Sequence, residues 1–172
     1  GATIHKMTEN VDCGDIVEII KCKVDAKETG FSLYQKISKL SVSLFKKYIH
    51  LTLDGKKVSG STQLSGAGNY YTREVPFEGK IDWDWSSREI YNYCRAMYFP
   101  PFKSAISIVN GFEFEVYSAE ITTNKSYKVP GELISIDQNG VTLATTDFDI
   151  FIDSQSIDMK QFQKHYQETQ TN

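Results

Sequence analysis

The chain has 172 residues, of which 40% are hydrophobic and 24% charged, with a net charge of −3; this is the balance of a globular protein that can bury one core or two small ones. No apolar run approaches the roughly 20 residues of a membrane span, and the opening stretch is too short and polar for a signal peptide. Cys13, Cys22 and Cys94 form neither a CxxC pair nor a Cys/His cluster, so no metal site is expected and free thiols suit a reducing, cytoplasmic setting.

The first elements read as strand, loop, strand. Residues 2–7 and 16–24 are rich in Ile, Val and Thr, and a polar loop from Thr8 to Asp15 joins them. Phe31, Tyr34, Ile37, Ser38, Ser41, Leu44, Phe45 and Tyr48 then recur at three- and four-residue spacing, which predicts an amphipathic helix to about Leu51. Residues 54–78 hold Gly, Ser and Thr without a hydrophobic period and read as a linker. Domain boundaries are therefore expected at 1–53 and 79–172.

Ser86 and Glu89 have the spacing of a capping box and open a short helix to about Met97, which Pro100-Pro101 stops. Phe112, Phe114 and Val116 alternate with Glu113, Glu115 and Tyr117, as a half-buried strand does. Segments 132–137 and 141–145 flank Asn139-Gly140, a hairpin signal, and a further strand is expected around Phe148–Ile152. From about Lys160 the chain reads as a polar tail. The end of the chain is thus expected to be β-rich, in the manner of a small, partly open barrel.

Charge is uneven along the chain. Residues 101–172 hold five Lys against ten Asp/Glu, a net −5, and residues 1–100 carry +2. Polyanions are bound mainly through Lys and Arg contacts to phosphates, so this half is a poor nucleic-acid platform.

Three stretches carry a family resemblance: Ala2-Thr3-Ile4-His5-Lys6-Met7 with Val11-Asp12-Cys13-Gly14-Asp15; Gly66-Ala67-Gly68-Asn69-Tyr70-Tyr71-Thr72-Arg73; and Gly79-Lys80-Ile81-Asp82-Trp83 followed by Ile90, Asn92, Arg95-Ala96 and Pro100. Their order and spacing resemble the 10-formyltetrahydrofolate-dependent formyltransferases. The resemblance implies an α/β fold: the end of a Rossmann-like formyltransferase domain, then the family's smaller β-rich C-terminal domain. It also implies that the 172 residues are the C-terminal part of a longer enzyme, because the family's Asn-x-His motif lies upstream of these stretches and is not in this sequence.

The chemistry explains the residue types. An amine attacking a formyl carbon puts negative charge on the formyl oxygen and positive charge on nitrogen; an Asn amide suits the first and a His base the second. A carboxylate beside that His favours the imidazolium and fixes the ring. By the resemblance Asp12 is this carboxylate, and Thr8, Glu9, Asn10, Val11 and Asp12 form the loop that borders the folate pterin. The alternative for Asp12 is a plain turn residue, since Asp two positions before Gly is common in loops. Asp15 is expected to cap the loop or the next strand. His5, His50 and His165 are read as packed or solvated, and none as a substitute base.

On the helix from 86, Tyr91, Arg95 and Tyr98 share one face, while Ile90, Tyr93, Cys94 and Met97 make the apolar one. Arg can pair with a diphosphate and aromatic rings can stack on a base. Tyr91, Arg95, Tyr98, Phe99 and Phe102 are therefore candidates to grip a nucleotide, with core packing at the domain junction as the alternative. The run Phe99-Pro100-Pro101-Phe102-Lys103 looks closer to nucleotide-sugar N-formyltransferases than to the tRNA enzymes. The expected activity is formyl transfer from 10-formyltetrahydrofolate to a nucleotide-linked amino sugar, as in bacterial surface polysaccharide and O-antigen synthesis. Methionyl-tRNA formyltransferase is the second reading. A binding or dimerisation module without catalysis is the third, and a homodimer through the β-rich end stays open.

Overall fold

The computed structural model describes residues 1–64, 69 and 71–170. The chain divides into two compact units, residues 1–28 with 32–73, and residues 29–31 with 74 onward. Four residues of the second resemblance stretch, Gly66, Ala67, Gly68 and Tyr70, lie outside the described residues.

In the first unit, β1 (Ala2–His5) pairs antiparallel with β2 (Ile16–Ile20), and the register shifts between Ile4 and His5. The helical period matures into α1 (Gly30–Leu53), whose Leu44 is buried. Glu18 on β2 receives Lys47 Nζ and the Tyr48 hydroxyl from α1, tying helix to strand. The Lys47 and Tyr48 bonds hold the Glu18 carboxyl below the ordinary range. Lys36 does the same for the approach to α1, reaching Asp25 and Glu28 at 3.2 and 3.1 Å.

From residue 74 the second unit runs through a short turn, Pro76–Gly79, into α2 (Ser87–Met97), which opens on the expected capping box of Ser86 and Glu89. Ser87, Ile90 and Cys94 form its buried face. Burial pushes the Cys94 thiol up to about 12, so it is a packing group rather than a nucleophile. β3 (Ala105–Val109) and β4 (Phe112–Val116) form a hairpin closed by the two residues Asn110 and Gly111, both at positive φ, as a type I′ turn requires.

β5 (Ala119–Ile121), β6 (Leu133–Asp137), β7 (Gly140–Leu143) and β8 (Ile150–Asp153) make an antiparallel sheet in the order β5-β8-β7-β6. Among the described residues this sheet and the β3–β4 ladder are open, so the strands agree with the β-rich expectation without a closed barrel. The β6–β7 turn consists of Gln138 and Asn139, because Asp137 already faces Gly140 across the ladder. Gly140 is needed for a different reason than the turn: a Cβ there would stand 2.0 Å from the Ile152 carbonyl oxygen of β8.

Three elements depart from the sequence expectation. β3 and β5 were not predicted, since Ala105–Val109 lacks alternation and β5 has only three residues. The polar tail from Lys160 is instead α3 (Met159–Gln170). Asp158 accepts from the Lys160 and Gln161 N–H groups at its start, and Phe162 is buried against Phe112 and Phe114, with centroids at 5.4 and 5.9 Å. Met159, Phe162 and Tyr166 form a stripe too sparse to stand out against nine polar neighbours. Among the described residues no helix is long and apolar enough to cross a membrane.

Asp147 joins the sheet to α2. Its Oδ1 accepts from the Ser87 N–H at 2.7 Å and from the Thr145 hydroxyl at 3.0 Å. Burial opposes its charge, but these bonds and the Phe148 N–H prevail and lower its pKa from 3.8 to about 2. A carboxylate lowered on folding stabilises above its unfolded pKa and stops doing so as pH falls through the folded one. Asp147→Asn is therefore expected to lose about 1 kcal/mol near neutrality. The gap in urea midpoint between the two proteins should close as pH falls from about 4 to about 2; a gap that ignores pH would remove charge from this joint.

Candidate functional site

The loop between β1 and β2 is held from two sides. Lys6 N–H donates to the Asp15 carbonyl at 3.0 Å and Lys6 Nζ reaches Asp15 Oδ2 at 3.2 Å, which closes the loop at its base. Asp15 thus does the capping expected of it. Gly14 lies against the backbone just past the end of β1: a Cβ there would stand 1.7 Å from the Lys6 carbonyl oxygen. From the opposite side Gln63 donates through Nε2 to the carbonyls of Asp12 and Gly14 at 2.9 and 2.5 Å. Gln63 belongs to the stretch read as linker, where nothing local marks it as a loop partner.

Asp12 itself adopts the left-handed conformation, φ 55°, which Asp tolerates better than most residues. Its backbone is fixed while its carboxylate projects outward, 76% exposed. His5 Nε2 stands 3.6 Å from Asp12 Oδ1, and His5 Nδ1 lies 3.0 Å from the Lys6 carbonyl. Strand alternation gave no reason to bring His5 to Asp12; the register shift between Ile4 and His5 breaks that alternation and supplies one. Around them the Thr8 hydroxyl donates to the Asn10 carbonyl at 2.8 Å, and Glu9, Asn10 and Val11 face solvent.

In the second unit, Tyr98 and Phe102 line one hollow of about 410 Å³ together with Pro100, Pro101, Lys103, Glu115 and Tyr117. Lys103 makes no ion pair among the described residues, and the Glu115 carboxylate accepts from the Ser104 N–H at 3.0 Å. Phe99 lies outside this lining, with its ring edge-on to Phe31 at 5.6 Å and tilted against Phe102 at 5.8 Å. Tyr91 and Arg95 are on α2, the guanidinium over the Tyr91 ring at 5.9 Å with Nε donating to Asn92 Oδ1. Of the five candidates, two therefore share a cavity. Lys103, the last residue of the Phe99–Lys103 run, joins them there, as does Tyr117, which nothing in the sequence marks because it follows β4. Among the described residues no cluster of His, Cys, Asp and Glu could hold a metal.

Residues 75–167 match the family model described as formyl transferase, C-terminal domain. The chain belongs to the formyl transferase family. Among curated relatives, the GDP-perosamine N-formyltransferase of Brucella melitensis is 35% identical over 130 residues, covering 76% of this chain and 49% of that protein. A methionyl-tRNA formyltransferase of Pseudoalteromonas translucida is 32% identical over 143 residues, covering 82% and 44%. The solved N-formyltransferase of Helicobacter canadensis, in complex with folinic acid and dTDP-3-aminofucose, shares the fold at a TM-score of 0.67 and 20% identity, over 88% of this chain and 54% of that one. The chain spans half or less of the length of the curated relatives it matches.

The β1–β2 loop rests on Gly14. Gly14→Ala is expected to push the loop off β1 and break the Gln63 bonds, lowering stability by about 1–3 kcal/mol, as overpacking against backbone does. Hydrogen exchange should accelerate at residues 12–16, and unchanged protection there would refute the close approach.

Proposed function

We propose that this chain is the C-terminal part of an enzyme that transfers a formyl group from 10-formyltetrahydrofolate to the amine of a nucleotide-linked amino sugar. In this reading residues 1–53 close a Rossmann-like catalytic domain, 54–78 link, and 79–172 form the smaller domain. Asp12 is the catalytic carboxylate. It works with an Asn and a His that this sequence does not contain, and the chain alone is inactive. Bound beside the loop, 10-formyltetrahydrofolate supplies the formyl carbon that the amine attacks. The residues present fit its pterin, a flat ring with a polar edge: Val11 offers an exposed apolar side chain beside the exposed polar residues Thr8, Glu9 and Asn10. Asp12 would hold positive charge on the neighbouring imidazole as the nitrogen gives up its proton.

The nucleotide would lie against Tyr98 and Phe102, with Lys103 free to meet its phosphates. About 410 Å³ is within the range of small-molecule sites. Phe99 packs on Phe102 behind that wall, and Tyr91 and Arg95 are outside its lining. Charge carries the choice of substrate. The second unit holds eight Lys/Arg and fifteen Asp/Glu, a net −7, which disfavours tRNA, the substrate of the second reading. The product fits the formylated sugars of a bacterial surface polysaccharide made in the cytoplasm.

Two experiments on the full-length enzyme test this. Asp12→Asn keeps the side chain's shape and removes its charge, so kcat should fall about 100-fold or more; near-normal turnover would end the catalytic role of Asp12. A salt titration separates the substrates. A nucleotide sugar should keep most of its affinity between 50 and 200 mM salt, whereas tRNA held by 6–10 phosphate contacts would lose roughly 10³–10⁵.

A further inference from the structure

A second concave site in the same unit involves neither the Asp12 loop nor the Tyr98–Phe102 hollow. Phe77 is 65% exposed, yet its backbone sits at φ 53°, ψ 28° and that of Glu78 at φ 55°, ψ 21°. Two successive non-glycine residues in the left-handed well are sterically disfavoured, so this turn is held against its preference. The Tyr93 hydroxyl donates to the Pro76 carbonyl at 2.7 Å and pins the turn to α2. The effect is to present an apolar ring to solvent.

Phe77 completes a corner. Its ring lies 4.7 Å from Trp85 and 5.9 Å from Tyr93, Trp85 lies 5.2 Å from Tyr93, and the three planes meet at 70–73°. Glu89 and Asn92, one helical turn apart on α2, line the same opening of about 370 Å³. Glu89 Oε2 accepts from the Ser86 N–H and hydroxyl at 2.9 and 2.6 Å, and Oε1 has no hydrogen-bond partner among the described residues. The Ser86 bonds hold the carboxyl below the ordinary range, so it is ionised at neutral pH. No Lys or Arg is among the lining residues described; Arg95 is turned to Asn92 and Tyr91.

Steep aromatic walls with one ionised carboxylate, in a unit of net −7, match one ligand chemistry above others. An anion would meet Glu89 without a compensating cation. A neutral apolar molecule would fill the corner but gain nothing from the carboxylate. A cation with an apolar shell gains from both, since ring faces attract it electrostatically while its methyl groups are buried. We propose that the Phe77–Trp85–Tyr93 corner binds an organic ammonium group, quaternary or alkylated, with Glu89 as its counter-charge. The site does not depend on the formyl-transfer reading.

The probes are choline and 3,3-dimethyl-1-butanol, its uncharged carbon isostere, followed by NMR of the two Trp indole N–H signals. Choline is expected to shift Trp85 saturably and leave Trp83 in place, with the isostere binding roughly tenfold more weakly. Glu89→Gln retains a residue that completes a capping box and should weaken choline by a similar factor. Phe77→Ala should abolish the shift while an unmoved Trp83 signal reports an intact fold. Equal binding of choline and its isostere, indifference to Glu89→Gln, or no saturable choline binding would each overturn the proposal.

Discussion

The contact between Gly14 and the Lys6 carbonyl governs the first unit. It allows the loop to fold back on β1, and only then can Lys6 and Asp15 meet and Gln63 span two carbonyls with one amide. A loop braced this way has a defined backbone and an undetermined side chain. The Asp12 carboxylate is positioned by its Cα and remains largely in solvent, so its electrostatic surroundings are set by whatever approaches it. That is compatible with the role proposed for Asp12, orienting and charging a neighbouring imidazole, because desolvation by approaching partners strengthens such a pairing only when they are present.

The second unit solves a different problem. Its sheets are open, so each needs a cover: α2 and α3 supply it, and polar joints fix their placement. Asp147 holds the start of α2 through the Ser87 N–H, one of the donors a helix start leaves without an intrahelical partner. Phe162 fills the space beside Phe112 and Phe114, and His165 bonds the carbonyl of Asn110 at the tip of the β3–β4 hairpin. The core is thus closed by two helices that grip strands at their ends, where backbone groups need partners and side chains are short of neighbours.

Much of this was legible in the sequence where one residue type has one use. The Ser86/Glu89 capping box, the three- and four-residue period of α1, and the Phe112–Val116 alternation all became the elements they predict, because local preference and tertiary packing agree there. What could not be read involves partners distant in sequence. Gln63 meets Gly14 across 49 positions and His165 meets Asn110 across 55. α3 was missed because three apolar residues in twelve suffice when one of them, Phe162, is wholly buried. His5 was turned toward Asp12 by a register shift, and alternation cannot anticipate a bulge. At Asn139-Gly140 the hairpin was right and the reason was not, since the glycine serves β8.

Left-handed residues sort by what surrounds them. Asn110 is explained by its hairpin: the type I′ connection of β3 to β4 places both of its residues at positive φ, and Asn accepts it readily. Asp12 and Phe77 lie in longer connections, not in a two-residue hairpin. Each is fixed by side-chain bonds from a distant residue, Gln63 to the Asp12 carbonyl and Tyr93 to the carbonyl before Phe77, and each displays an exposed side chain, one anionic and one aromatic. Strain without a topological cause persists only where surrounding contacts over-determine it, and such positions concentrate where ligands are met. By that argument the aromatic corner and the acidic loop belong to the same class of feature, though they lie in separate units. It also predicts that releasing either brace will let the residue relax while leaving the rest of its unit folded.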